Sequence, residues 1–467
     1  MVVEAGSDSV ERHDWVLPIG PDSPAAAHYR TELTGRPSRT SDIVRGRLVG
    51  GSGAINGAYF CRAHRDDVDA WGLPDWSWTE VLAHYRAIES DRDFGGPGHG
   101  AHGRITVRRT RAFCAPSELF TAGALGVPGT DWVDDLNGVD VPGVGLGAIP
   151  QNVDDAGWRF GPAQAFLSPA RDRANLTVLT GTRVLRIVFA GHRAVGADCL
   201  GPDGPVRLAA DRIVLSAGAI ESAHLLLRSG IGPVGELAAA GIPVLVDLPV
   251  GQRSADHPEW LLAVDWPAAV DRAPIEVALT TDRLEIRPYT CGFGAMTGNV
   301  TGRDPVHIGI SLMRPRSRGR VALSSAGPDH PPLIAHRYDA DPDDIAELRA
   351  GVELMRELFG AALRSDEPIW STAQHLACTA PMGRDGDDGA VLDTRCRVRG
   401  IDGLQVIDAS ALPRITSRGP HATVVMLAHR AAEFVCGLAI FVGVSEPVRC
   451  CGRGPAPSMR LPRPQRR

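Results

Sequence analysis

Residues Gly46–Gly57 read GRLVGGSGAING, and Ala58–Trp71 continue as AYFCRAHRDDVDAW. Five of the first twelve residues are glycine. Glycine lets backbone approach a partner closely and adopt φ > 0. Successive free N–H groups in such a loop form a concave anion site, suited to a phosphate or pyrophosphate. Asn56 adds a side-chain amide that both donates and accepts. A plain turn-rich connector has the same composition, so the stretch alone leaves both readings open.

With 467 residues the chain exceeds what one hydrophobic core supports, and two or more domains are expected. Hydrophobic residues make up 43% and charged residues 22%, as in an ordinary globular protein. A net charge of −6 with no basic stripe gives no reason to expect nucleic acid. The nine cysteines include no CxxC pair and read as reduced thiols of a cytoplasmic protein. No signal peptide opens the chain, and the apolar run Gly437–Val444 is too short to span a bilayer, which leaves peripheral membrane attachment open.

Met1–Gly6, MVVEAG, reads as a short buried strand ending in Glu4 and a turn. A carboxylate at the end of the second strand of a dinucleotide-binding fold bonds the adenosine ribose; an exposed strand-end carboxylate is the alternative. The first strand and its G-x-G-x-x-G loop belong about 20 residues upstream, so the expectation is an N-terminally truncated domain. Pro18–Asp42 reads as a polar, irregular surface excursion. Trp76–Glu89 has helical spacing at Val81, Leu82, Tyr85 and Ile88, with Ser77 or Thr79 as cap. His99 and His102 fall in a Gly/His loop without a third ligand nearby and read as solvated rather than metal-bound.

Asn175–Phe189 alternates as a strand pair turning at Gly181. Asp211–Pro233 reads as a strand at Ile213–Leu215, a small-residue turn and a helix at Ser222–Arg228 closed by Gly230. That geometry sets a helix N-terminus against a phosphate or flavin edge, although an ordinary βα unit has the same pattern. From Glu259 to Thr372 alternating segments (Pro274–Pro288, His307–Leu312) and an amphipathic helix at Pro342–Phe359 suggest an inserted domain. Its Arg314–Gly319 turn reads as a solvated arginine face. After His375–Gly383 come a strand at Gly403–Asp408 and a helix starting near His421 or Ala422. Beyond Phe434 the pattern dissolves into a tail that cannot build a core.

Three of these stretches, Gly46–Trp71, Ala217–Pro233 and His375–Ala432, resemble the two signatures and the C-terminal catalytic block of the glucose–methanol–choline family of flavin oxidoreductases. Asp256-His257-Pro258 also fits. The resemblance implies an α/β fold, with a discontinuous Rossmann-like FAD-binding domain (1–258 and 373–436) around an inserted α+β substrate domain built on an antiparallel sheet (259–372), and a tail at 437–467. It implies alcohol oxidation at a CH–OH group by hydride transfer to flavin N5. By position, Glu4 meets the adenosine ribose, and Gly50, Gly51, Ser52, Asn56 and Ala58 line the pyrophosphate and flavin. Val184 presents backbone to the adenine, and Asp408 and Ala409 meet the ribityl and pyrophosphate region. His375 aligns with the catalytic histidine; a neutral imidazole near pH 7 can accept the hydroxyl proton as hydride leaves. Ile55 stands where some members carry a flavin-linked histidine, so FAD is expected to bind non-covalently.

The chain also departs from the pattern. The second catalytic residue, His or Asn in the family, falls on Gly419, and His421 two residues later is the candidate substitute. A histidine contacting flavin or solvent is the other reading of His421. The short substrate region and the Ser417-Arg-Gly-Pro420 turn resemble the mycofactocin-associated branch, which implies a redox-peptide carrier as substrate and a respiratory electron acceptor. The competing expectation is a truncated, FAD-poor, non-catalytic remnant. A nicotinamide-dependent dehydrogenase would leave two of the three stretches without a role.

Overall fold

The computed structural model describes residues 1–8, 14–139, 141, 143–365 and 367–436; the expected tail lies outside them. On the flavin-domain side, short apolar runs form parallel strands, of which Leu404–Val406 is fully buried. Val2–Val3 pairs with Val178–Leu179, and Ile213–Leu215 with Leu404–Val406. These form two separate two-stranded sheets. Helix Gly218–Arg228 follows Leu215 directly and buries Ala219, Ile220, Ala223, Leu226 and Leu227 in a core shared with Val406, Leu412 and Met426. Helix His421–Cys436 packs on helix Trp78–Ile88, where Ser77 accepts from the Glu80 N–H as the expected cap.

The other half is a six-stranded antiparallel sheet in the order Ile369–Thr372, Pro258–Val264, Val306–Leu312, Leu284–Pro288, Val277–Thr280, Gly145–Ala148. Helix Pro342–Phe359 lies on it, with Pro342 in its first turn and Asp341 accepting from the Asp343 N–H at 2.9 Å. Leu348, Val352, Met355 and Phe359 recur at helical spacing and meet Ile286, Ile308 and Ile310 of the sheet. Each such side chain, fully buried, stabilises by roughly 1.5–3 kcal/mol.

Several expectations need correction. The substrate sheet takes its edge strand from Gly145–Ala148, so it is not confined to 259–372. Within that span, Arg320–Ala322 and Leu333–Ala335 leave it to join the hairpin Ala26–Gly35/Ser38–Gly46 in a four-stranded sheet. That hairpin replaces the irregular excursion read at Pro18–Asp42. Its Arg30, Ser38, Arg39 and Thr40 are exposed, whereas Thr31 and Thr34 are buried beside the inward Leu33 and Ile43. Val2 is 38% exposed, so the first strand is only partly buried. Val178–Leu179 and Arg183–Ala190 do not pair with each other; the second pairs with Arg193–Gly201.

Candidate active site

Asp256 gathers the residues around His375. Its Oδ1 accepts from the backbone N–H groups of His257 and His375, each at 2.8 Å. Its Oδ2 accepts from Tyr338 Oη at 2.8 Å and Thr372 Oγ1 at 2.7 Å. Gln374 turns the chain into His375 with φ 66, a conformation costing a non-glycine residue roughly 1–2 kcal/mol. Its Oε1 accepts from the Val44 N–H at 2.8 Å, which holds the turn.

The two histidines form a directed pair. His257 Nε2 lies 2.9 Å from the Thr416 carbonyl, and its Nδ1 lies 2.9 Å from His375 Nδ1. A carbonyl only accepts, so the His257 proton sits on Nε2. Its Nδ1 is therefore the acceptor and His375 Nδ1 the donor, a tautomer assigned from the network. His375 Nε2 is left with a free lone pair. Burial, with His257 and Arg287 nearby, holds His375 well below its ordinary 6.5, and burial lowers His257 to about 4. Both rings are neutral at pH 7. A Cβ on Gly419 would stand 3.2 Å from His375 Nε2 and 3.0 Å from the Tyr59 ring, so glycine leaves room for both.

The glycine-rich stretch forms a second surface. Gly50 (φ 98) and Gly51 (φ 54) lead into a tight helical turn, Gly51–Ala54. Ser52 Oγ accepts from the Gly46 N–H at 3.1 Å, and Asn56 Oδ1 accepts from the Ala58 N–H at 2.9 Å. Ala58 itself has φ 60 and is fully buried. A Cβ on Gly51, or on Gly218 (φ 81) where the Gly218–Arg228 helix begins, would meet no atom within 4 Å. His421 faces this turn: its Cε1 would be 3.0 Å from a Cβ on Gly53, and its ring meets Phe60 edge-on at 5.6 Å. Its Nε2 is buried without a partner, and burial lowers the ring to about 4. Among the described residues no hydrogen bond or ring contact joins His421 to His375.

Glu4 Oε1 accepts from the Gly6 N–H at 2.7 Å, and burial raises its carboxyl. Val184 follows two residues after Thr182, whose N–H donates to the Glu4 carbonyl at 2.9 Å. Asp408 is saturated, because Oδ2 accepts from the Gly218 N–H (2.9 Å) and Ser222 Oγ (2.5 Å), and Oδ1 from Ser410 N–H (2.8 Å) and Oγ (2.5 Å). It ties two turns together, which leaves any ligand contact there to backbone. The Ala409 carbonyl accepts from the Cys378 N–H at 3.0 Å. Open space over the glycine backbone at two turns, an orphan imidazole nitrogen beside one and a strand-end carboxylate fit the room and the polar contacts that FAD needs.

A buried ionic wall stands behind Tyr59. Arg287 bridges Glu285 (2.8 Å) and Glu259 (2.9 Å). Glu285 Oε2 accepts from Tyr59 Oη at 2.6 Å and from Arg418 Nη1 at 3.3 Å, and Arg418 Nε donates to His64 Nε2 at 3.0 Å. Sequence reasoning missed this wall and the role of His257; only the Asp256-His257-Pro258 match hinted at the latter.

His99 corrects another expectation. It is 8% exposed rather than solvated, with Nε2 2.8 Å from Asp135 and Nδ1 3.1 Å from Asp91, while His102 is exposed. Glu89, Asp91 and His99 present ligand atoms within 4.8 Å of one another. Guanidiniums are already there, however: Arg109 holds both Asp91 oxygens at 2.9 Å, and Arg62 pairs with Glu89. Burial opposes the charge on His99, yet Asp135, Asp91 and Glu89 outweigh it and raise the ring to about 10.

A split α/β flavin domain, an antiparallel substrate sheet and a neutral histidine between them define a flavin-oxidoreductase class of fold. Residues 21–259 and 315–428 match the family models for the N- and C-terminal parts of GMC oxidoreductase. The chain belongs to the GMC (glucose–methanol–choline) oxidoreductase family, whose members bind FAD. An uncharacterised GMC-type oxidoreductase of Rhodococcus erythropolis is 40% identical over 94% of this chain and 93% of that protein. An oxygen-dependent choline dehydrogenase of Stenotrophomonas maltophilia is 32% identical over 86% of this chain and 82% of that protein. The crystal structure of pyridoxine 4-oxidase from Mesorbium loti superposes with TM-score 0.82 at 27% identity, covering 93% of each chain. Among the described residues no helix is long and apolar enough to cross a membrane.

Proposed function

We propose that this chain oxidises an alcohol CH–OH group, with His375 as the base that takes the hydroxyl proton. The observation that carries this reading is the Thr416–His257–His375 chain, which leaves the lone pair on His375 Nε2. FAD, when bound, takes up the hydride that leaves the carbinol carbon. Glu4, Gly50, Gly51, Ser52, Asn56, Ala58, Val184, Asp408 and Ala409 would hold it, Asp408 through backbone, and His421 would lie on the flavin side of the glycine turn. Ile55 offers no nucleophile, which supports non-covalent binding; acid precipitation should then release the flavin into the supernatant.

As the proton moves from substrate oxygen to Nε2, His257 stabilises the cation it creates, because its Nδ1 accepts from His375 Nδ1–H while its own proton stays on Nε2, donated to the Thr416 carbonyl. The free, buried thiols support a reducing, cytoplasmic setting. A carrier of the mycofactocin type and a respiratory acceptor rest on the short substrate region and the Ser417–Pro420 turn, so the substrate class proposed is alcohols at large. Anaerobic mixing of the holoenzyme with a panel of primary alcohols tests the reading. Bleaching of the flavin absorbance by at least one of them is expected, and flavin-loaded protein that none of them reduces would overturn it.

A further inference from the structure

We propose that Arg418 is a substrate-binding group, and that it selects alcohols bearing a carboxylate near the carbinol carbon. This rests on the alcohol-oxidising reading above and names its substrate class.

The guanidinium is 1% exposed in its side chain and fixed at two of its three nitrogens. Nε donates to His64 and Nη1 to Glu285, whereas Nη2 is buried with no partner. A buried donor left without an acceptor destabilises the fold, more so on a charged group, so this nitrogen is an open demand for an acceptor. Its location is the site itself. Arg418 directly precedes Gly419, against which His375 Nε2 lies, and it shares Glu285 Oε2 with Tyr59, whose ring covers Gly419. The Arg418 carbonyl accepts from Thr416 Oγ1 at 2.8 Å, in the residue that orients His257. A cavity of about 200 Å³ lined by Arg62, His64, Trp78 and Asn137 reaches His64, the residue on which Arg418 Nε rests.

Charge bookkeeping around the wall sets the sign of the ligand. A cationic alcohol needs an unpaired carboxylate or an open aromatic face. Here both acids are taken: Glu259 by Arg287, Tyr289 and Ser311, and Glu285 by Arg287, Arg418 and Tyr59. The two arginines balance the two glutamates, and the unspent donor belongs to a guanidinium. A planar carboxylate is the acceptor that such a fork takes best.

The test uses the holoenzyme with 3-hydroxypropanoate, 1-propanol and choline as substrates and propanoate as a non-oxidisable ligand. We expect kcat/KM for 3-hydroxypropanoate at least tenfold above the other two, and propanoate binding by calorimetry. Arg418→Met should abolish that binding and the preference through KM, and Arg418→Lys, which keeps the charge, should restore part of both. Preference for choline or 1-propanol, or propanoate binding unchanged in Arg418→Met, would overturn the assignment. If no alcohol is oxidised but propanoate binds in an Arg418-dependent way, the activity reading fails and the carboxylate site stands.

Discussion

Two buried histidine clusters in this molecule differ in one respect, the kind of oxygen at the end of the chain of contacts. His375 reaches, through His257, the carbonyl of Thr416, and its nearest carboxylate, Asp256, takes backbone N–H groups instead of the rings. His99 touches Asp135, Asp91 and Glu89 directly. A carbonyl carries no formal charge and pulls the ring only weakly toward the imidazolium, whereas carboxylates favour the imidazolium strongly. Burial opposes charge in both places. In the first nothing overrides it, and His375 falls well below 6.5; in the second three acids do, and His99 rises to about 10. A neutral imidazole with a free lone pair is a base in waiting. The protonated one neutralises its surroundings and can hold them together.

The comparison breaks first at His375. Replacing it by alanine should lower kcat/KM by about 10²–10⁴-fold, the range for a lost general base, whereas His99→Gln should change turnover per folded, FAD-loaded molecule less than threefold. Because His375 is depressed below 6.5, kcat/KM should stay level as pH falls through 6.5 and decline only at more acid values. An acid limb centred at 6.5 or above would show that the ring is not held as described.

His257 comes next. His257→Phe keeps the ring shape but removes both nitrogens, so His375 Nδ1–H loses its acceptor and the tautomer is no longer fixed. The expected loss is about 10–100-fold in kcat/KM, comparable to removing an orienting partner from a ligating histidine. It should appear in kcat and in the position of the acid limb, with KM little changed. A variant that loses only stability, with an unmoved pH profile, would demote His257 to packing.

The same two clusters show what could be read from sequence and what could not. His375 and the Gly46–Gly57 turn were expected as site elements because each sits in a local motif, and Pro342–Phe359 was legible from its period. The role of His257 was not, since its partners lie 118 and 159 positions away and neither pairing leaves a local pattern. Arg418 meets Glu285 across 133 positions, so its burial was equally invisible. His99 was misread as solvated for the same reason: a Gly/His loop looks wet until Arg109 and Asp135 fold over it. The hairpin at Ala26–Gly46 was missed because its polar residues outnumber Leu33 and Ile43, and two of them, Thr31 and Thr34, are themselves buried.

A smaller effect is expected from the charged cluster, and on stability alone. His99 is raised above its ordinary 6.5 to about 10. Its stabilising charge is therefore fully present below pH 6.5 and is lost as pH rises through about 10. The wild-type melting temperature should fall between pH 8 and 10 more steeply than that of His99→Gln. At pH 7 the variant should melt about 3–5 °C lower, as expected for breaking a buried pair in a chain of this size. Parallel pH curves for the two proteins would mean that His99 is not charged in the fold.

A modest effect on activity should come from His421, and it sharpens the division between the two catalytic candidates. Its ring stands over the Gly51–Ala54 turn and against Phe60, whereas Gly419 lies beside His375 Nε2 and the Tyr59 ring. An imidazole lowered to about 4 is neutral at pH 7 and can still donate one hydrogen bond, which suits a contact to the flavin side rather than proton transfer. His421→Ala should lower kcat/KM less than tenfold while weakening FAD retention on gel filtration in dilute buffer. A loss as large as that of His375→Ala, with flavin fully retained, would instead make His421 the second catalytic group, and would require the Ser417–Pro420 turn to shift when substrate binds.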